Sequence, residues 1–257
     1  MEEPTVVILC GGTGTRLREH TEYIPKPLVQ IGGMPVLVHI MKHYAHYGFK
    51  KFILCLGYKG EMIKDYFIKH EWLLNDFTLV QNKIIKHTKT DDDFSITFVD
   101  TGQKTNTGGR LKKIEKYVNG SNFLATYGDG LSNVDIKKLF EHHISKGKIA
   151  TLTSINPTSP FGVIEVEDGI VKSFKEKPKL DGFINGGFFA FNKKIFDYLN
   201  DDSVLEEEPL KKLASEGQLA TFVHNDFWAC MDTFKDNERL NAIWESTGGK
   251  APWRTWD

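Results

Sequence analysis

The sequence predicts an α/β chain built on a doubly wound, Rossmann-like mixed sheet with a small β-rich extension, and three observations carry that reading. Apolar runs rich in β-branched residues end in glycine; Val6-Val7-Ile8-Leu9-Cys10, followed by Gly11, is the first. Such unbroken runs suit strands buried on both faces, as in a parallel sheet. Stretches with helical spacing alternate with these runs, which is the βαβ signature. From about Pro157 the texture changes to short strands separated by Asp168-Gly169 and Gly186-Gly187.

Taken in order, strand 6–10 is followed by a helix over 34–47, with Val38, Met41 and Ala45 along one side and Gly48 as its stop. A second buried strand spans 52–57 and a helix 61–69. A third strand covers 94–99 and ends at Asp100. The fourth, 123–128, is the central one. Asn133 or Asp135 caps a helix running through 139–146. A fifth strand spans 149–154. Short strands at 163–166, 170–174 and 188–191 and helices at 193–198, 209–216 and 234–246 complete the chain. No linker interrupts it, so residues 1–257 are expected to form one domain, with a nucleotide-binding half at about 1–156 and a second half at about 157–257. Residues 78–93, with Asn82 and the acidic run Asp91-Asp92-Asp93, read as a solvated hairpin or loop, or as a subunit contact.

Composition narrows the function classes. Of 257 residues, 40% are hydrophobic and 26% charged, which excludes a disordered or collagen-like chain. Lys plus Arg is 33 and Asp plus Glu is 34, a net charge of -1 that argues against a nucleic-acid partner. The nine histidines form no zinc-type cluster, and Cys10, Cys55 and Cys230 are too few and too far apart for a disulfide framework. Met1-Glu2-Glu3-Pro4 is acidic, unlike a secretory signal, and the apolar run after it is too short to cross a bilayer. The expectation is a soluble cytoplasmic protein with no membrane partner.

The chemistry gathers at the ends of strands. Gly11-Gly12-Thr13-Gly14-Thr15-Arg16-Leu17 follows the first strand directly. Glycines let backbone approach a phosphate, successive amides make an anion nest, and Arg16 adds a planar charge; a tight strand-to-helix turn is the plainer alternative. The dinucleotide fingerprint fails, because Leu17 stands where a third glycine belongs, and no Gly-Lys-Ser/Thr triplet makes a P-loop. Pro25-Lys26-Pro27 then holds a lysine on a stiff segment. Gly128-Asp129-Gly130 leaves a carboxylate free at the end of the central strand, where open α/β sheets bind ligands. With Asp232 it offers the oxygen donors that suit Mg²⁺, although Asp232 equally suits a helix cap. Thr105, Gly109 and Arg110 stand just ahead of a helix expected over 111–118, placing amides and a cation at a helix start. Glu176-Lys177-Pro178 is a surface triplet, or a carboxylate for sugar hydroxyls beside an ammonium for a phosphate. Trp228 is an ordinary buried aromatic or a face for a sugar ring, and Trp253 and Trp256 dock on a neighbour or fold back on their own subunit.

Residues 9–17 with Pro25-Lys26-Pro27-Leu28-Val29 resemble the signature of the sugar-phosphate nucleotidylyltransferase family, with Cys10 in place of the usual alanine. The stretches Gly57-Tyr58-Lys59-Gly60, Asp100-Thr101-Gly102, Thr107-Gly108-Gly109-Arg110-Leu111-Lys112 and Ala251-Pro252-Trp253-Arg254-Thr255-Trp256 extend the resemblance over nearly the whole chain. They point within the family to the branch that uses CTP and glucose 1-phosphate. The resemblance implies the nucleotide-diphospho-sugar transferase fold and Mg²⁺-assisted in-line transfer giving CDP-glucose and pyrophosphate. It implies nucleotide binding by Leu9, Cys10, Gly11, Gly12, Thr13, Gly14, Thr15, Arg16, Lys26, Thr105, Gly109, Arg110 and Gly128. It implies sugar binding by Gly162, Glu176, Lys177, Asn185 and Gly186, metal binding by Asp129 and Asp232, catalysis by Arg16, Lys26, Asp129 and Lys177, and a homo-oligomer. Three alternatives stay open: the same chemistry with dTTP, UTP or a phosphocholine acceptor; a non-catalytic regulator; and a nicotinamide oxidoreductase.

Overall fold

The computed structural model describes residues 3–74, 76–81, 83–87, 93–159 and 161–256. Its central sheet has seven strands: Val6–Leu9 (β1), Lys51–Leu56 (β2), Ser95–Asp100 (β3), Asn122–Tyr127 (β4), Ala150–Ile155 (β5), Ile184–Asn192 (β6) and Leu219–His224 (β7). Their order is β7-β5-β6-β4-β1-β2-β3. All run parallel except β6, which is antiparallel to both β4 and β5. From β1 the chain winds outward through β2 and β3, then returns to lay β4 on the other flank of β1. The strand order therefore reverses between β1 and β4, and that reversal opens a crevice beyond their carboxyl ends.

The apolar run of β1 follows from its position. Val6, Val7 and Ile8 are all fully buried. Successive side chains of a strand point to opposite faces, and here Val6 and Ile8 join one core while Val7 joins the other. The first core receives the helices Val36–His46 (α1) and Gly60–Leu74 (α2). The second receives Leu111 and Ile114 from Thr107–Lys113 (α3) and its end. Ile136–Lys146 (α4) adds Ile136 and Leu139 to the first core. Glu208–Ser215 (α5) adds Leu210 and Leu213 to the second, and Phe234–Ser246 (α6) adds Leu240 to the first. Helices thus cover both faces of a mostly parallel sheet, as the alternation predicts.

Several boundaries differ from expectation for local reasons. The helix predicted over 34–47 begins at Val36, because Pro35 is extended (φ -54, ψ 140) and Met34–Pro35 pairs with Gln30–Ile31. Gly48 does end it, at φ 89, with the Phe49 amide donating to the Tyr44 carbonyl. The helix expected over 111–118 starts earlier, at Thr107, and passes into a 3₁₀ turn at Glu115–Tyr117. Gly108 and Gly109 lie inside α3, where a Cβ on Gly109 would meet the Asp201 carbonyl oxygen at 2.1 Å. The pair serves helix packing, not a loop. Residues 193–198 form a 3₁₀ helix, and β7 is an edge strand that periodicity did not single out.

In the second half, Val163–Glu167 and Ile170–Lys175 form a hairpin closed by Asp168 (φ 50) and Gly169 (φ 76), the positive pair a two-residue primed turn requires. Within 78–93 the structure shows a hairpin, Phe77–Val80 with Lys83–Lys86; Asn82, Asp91 and Asp92 lie outside the described residues. Trp253 folds back on its own chain, 1% exposed, its indole N–H donating to His39 Nδ1 at 3.3 Å. No helix of the described residues is long and apolar enough to cross a membrane.

Of the two caps proposed for α4, the structure uses Asp135, whose Oδ1 accepts from the Lys138 amide at 2.9 Å. Partial burial pushes its pKa up, but the Lys138 amide and ammonium outweigh that and hold it below the usual carboxylate value. D135A is expected to lower stability by about 1 kcal/mol. A depressed carboxylate stabilises above its unfolded pKa and stops doing so as pH falls through its folded value. Urea unfolding should therefore separate D135A from wild type at neutral pH and bring them together in acid.

Candidate active site

The glycine turn leaves β1 at the switch point. Gly14 takes φ 64, and its carbonyl accepts from the Leu17 amide to start the 3₁₀ turn Thr15–Leu17. Gly12 has nothing within 4 Å of a would-be Cβ, so its open side faces a cavity. Gly11 is different: a Cβ there would lie 2.0 Å from Arg110 Nη1. The Arg110 guanidinium fills the space behind the turn, only 4% exposed. It donates to the carbonyls of Leu56 (3.0 Å), Gly11 (2.9 Å) and Gln103 (3.3 Å) and to Thr101 Oγ1 (2.7 Å). Burial pulls its pKa down, yet arginine stays charged across the ordinary pH range. A fixed positive charge thus backs the glycine turn.

Lys26 sits in a short 3₁₀ helix, Lys26–Leu28, after an extended Pro25. Its ammonium donates to Asp129 Oδ2 at 2.6 Å and to Asp232 Oδ1 at 2.7 Å. Burial would push the ammonium's pKa down, but the two carboxylates, Asp129 above all, hold it above the usual lysine value. Arg16 Nη1 reaches the other oxygen of Asp232 at 2.5 Å, with its side chain 75% exposed.

A small ribbon brings together two acids 103 positions apart in the chain. Gly130–Ser132 pairs antiparallel with Trp228–Cys230, and the Met231 amide donates to the Asp129 carbonyl at 3.0 Å. Asp232 is not the helix cap; Thr233 caps α6 through a capping box with Asp236, which leaves the Asp232 carboxylate free to face Asp129.

Among the described residues, one group could hold a metal ion: Asp129, Cys230 and Asp232, whose ligand atoms lie within 4.8 Å of one another. Two carboxylate oxygens already converge on one cation, the Lys26 ammonium, so the donor set fits a hard divalent ion. The Cys230 thiol is pushed up to about 12 by burial and by Asp129 and remains protonated, which makes it a poor partner for such an ion.

Two cavities meet at these acids. The first, about 310 Å³, is lined by Leu9, Cys10, Gly11, Gly12, Lys26, Thr105, Arg110, Gly128 and Asp129 among others. The second, about 800 Å³, is lined by Asp232, Cys230, Trp228 and Lys177 among others.

A family model described as nucleotidyl transferase matches residues 5–248. The chain belongs to the nucleotidyl transferase family. It is 47% identical over 253 residues to a probable glucose-1-phosphate cytidylyltransferase of Bacillus subtilis (strain 168), covering 97% of this chain and 99% of that one. It is 48% identical over 256 residues to glucose-1-phosphate cytidylyltransferase of Salmonella typhi, covering 98% and 99%. The crystal structure of HddC from Yersinia pseudotuberculosis superposes with a TM-score of 0.70 at 27% identity, over 93% of this chain and 98% of that one.

Within this nucleotidyl transferase the expected residues are distributed unevenly. Leu9, Cys10, Gly11, Gly12, Lys26, Thr105, Arg110 and Gly128 share the first cavity. Gly109 does not line it: its amide donates to the Ser203 carbonyl at 3.0 Å. The expectation that Arg110 stands just ahead of a helix is corrected, since α3 begins at Thr107 and contains it; four of the guanidinium's N–H contacts go to the protein itself. Lys177 lines the second cavity, strained at φ 45 and 3.8 Å from Glu176. Gly186 reaches that cavity indirectly, its carbonyl accepting from the Trp228 indole at 2.7 Å. Asn185 Oδ1 accepts from the Gly187 amide at 2.9 Å, and Gly162 packs against Phe174 and Glu176. Sequence reasoning missed Thr107, Tyr127 and Glu206 in the first cavity and Lys179, Lys235 and Arg239 in the second. Two of these carried a signal: Tyr127, two residues before Asp129 on the central strand, and Thr107, which opens the Thr107-Gly108-Gly109-Arg110 stretch.

R110M keeps the bulk of the side chain but strips donors from three carbonyls. Stability should fall by about 2–4 kcal/mol, read by denaturant unfolding. A melt matching wild type would mean the guanidinium does not hold the turn.

Proposed function

We propose that this chain transfers the cytidylyl group of CTP to α-D-glucose 1-phosphate, giving CDP-glucose and pyrophosphate. One observation carries the reaction class: Asp129 lines one cavity, Asp232 lines the other, and a single ammonium joins them. Two anionic substrates would meet at that seam. The choice of CTP and glucose 1-phosphate is supported by the near full-length identity to relatives that carry those substrates in their names.

The attacking group is a phosphate oxygen and is already an anion, so the step needs no general base. The difficulty is repulsion between anions, and positioning with charge neutralisation meets it. Lys26, on the wall of the first cavity, would set its ammonium against the α-phosphate. Arg16, mostly exposed and tethered to Asp232, is free to swing onto the leaving pyrophosphate, with the amides of the glycine turn beside it. Lys177 would hold the sugar phosphate, and Glu176, Gly162, Asn185 and Gly186 would frame the hexose. Asp129 and Asp232 would hold Mg²⁺, which when bound withdraws charge from the α-phosphate and aligns the attacking oxygen. The three free cysteines support a cytoplasmic location, and a homo-oligomeric assembly belongs to the same reading.

Pyrophosphate release with each of four nucleotides and glucose 1-phosphate should be fastest with CTP; a preference for dTTP or UTP would replace the substrate assignment while keeping the chemistry. K26A is expected to lower kcat by about 10²- to 10³-fold with thermal unfolding still cooperative. Wild-type turnover in that variant would remove Lys26 from the mechanism.

A further inference from the structure

Glu206 stands in the wall of the nucleotide cavity, in the loop just before α5. Tyr127 Oη donates to its Oε1, and Thr107 Oγ1 donates to its Oε2 at 2.7 Å. Thr107 is itself fixed, its hydroxyl accepting from the Leu205 amide at 2.9 Å. The Tyr127 ring is fixed as well: it packs over Gly187, where a Cβ would lie 2.6 Å away, and stands edge-on to Phe189. Among the described residues no lysine, arginine or histidine makes an ion pair with Glu206.

A rigid carboxylate without a cation is a poor neighbour for a triphosphate. The phosphate end of the cavity is set by Gly12, Lys26 and Asp129, so the nucleoside must extend toward the remaining wall, where Thr105, Thr107, Tyr127, Val204 and Glu206 lie. Each carboxylate oxygen accepts one hydroxyl and keeps a lone pair for another donor. The chemistry it can read is a neutral donor, an N–H or an O–H, and on a base that donor is an N–H. A cytosine offers an exocyclic amine; uracil and thymine offer a carbonyl oxygen at the same place. We propose that Glu206 selects the base, accepting a hydrogen bond from the 4-amino group of cytosine and repelling a base that carries oxygen there. Tyr127 and Thr107 act through it as positioning residues. The inference rests on CTP being the nucleotide substrate.

The test compares kcat/KM for CTP, UTP and dCTP in wild type and E206Q, a substitution of equal size that adds a donor. The CTP-to-UTP ratio should fall about 10- to 100-fold, with the CTP-to-dCTP ratio unchanged. A CTP-to-UTP ratio that stays at the wild-type value overturns the assignment, as does collapse of the CTP-to-dCTP ratio alone, which would place the carboxylate at the ribose. Wild-type enzyme without a preference for CTP sinks the functional reading itself; wild-type preference retained in E206Q sinks only the role of Glu206. Should E206Q fail to fold, Y127F keeps the carboxylate and removes one anchor. It should lower the same ratio by a smaller factor, and no change there also overturns the proposal.

Discussion

Two carboxylates whose oxygens lie within 4.8 Å of each other repel strongly unless a cation stands between them. At about 5 Å and an effective dielectric near 20, that repulsion is about 3 kcal/mol. In this chain Lys26 supplies the cation, at 2.6 and 2.7 Å from the two acids. Its own burial works against it, and only the acids keep it charged so firmly. The three groups are mutually dependent: without Lys26 the acids would part, and without the acids a half-buried ammonium would be costly. Any ligand that brings its own charges to this point enters an arrangement already balanced, and can exchange partners without leaving a charge bare.

Much of the surrounding structure serves to hold those three groups in register. The switch point brings the β1 turn and the end of β4 side by side. The ribbon of Gly130–Ser132 with Trp228–Cys230 then carries the chain from Asp129 to Asp232, and the Met231 amide locks the crossing. Behind the turn, Arg110 ties β2, the Gly11 carbonyl and the segment after β3 into one unit. This explains why two positions are glycine whatever the ligand: Gly11 and Gly57 are small because a guanidinium lies against them. Gly12, with open space before it, is the one shaped for an incoming group.

The legible part of the site was the part written in local chemistry. A buried apolar run followed by a glycine turn, a lysine between prolines and an aspartate between glycines are each readable within a few residues, and the structure brings the three together. What could not be read was partnership at long range. Arg110 shows in the sequence as a cation near a glycine pair; nothing there shows that backbone carbonyls consume its donors. Asp232 read equally as a helix cap until Thr233 took that role through Asp236. Glu206 lies in an acidic loop like many surface loops, and its neighbours Tyr127 and Thr107 are 79 and 99 positions away. The missed strands are short or peripheral: the ribbon strands have three residues each, and β7 lies at the sheet edge with its side chains partly in solvent. Short pairings of this kind are fixed by tertiary contacts more than by periodicity.

The division between the two cavities also separates kinds of work. Charge is concentrated at the seam, in Arg16, Lys26, Asp129 and Asp232, where phosphate chemistry would occur. The first cavity's wall away from the seam holds Thr105, Thr107, Tyr127 and Glu206, groups suited to distinguishing a base, whereas the second cavity's wall adds the cations Lys177, Lys179, Lys235 and Arg239, suited to a phosphorylated sugar. A substitution in a wall can therefore alter which substrate fits without disturbing the charge balance at the seam, whereas a substitution at the seam disturbs every substrate alike. Because Asp129 belongs to the first half of the chain and Asp232 to the second, neither half carries the balanced cluster alone. The halves stay in register because the ribbon, the Met231 amide and the Lys26 bridge all cross between them.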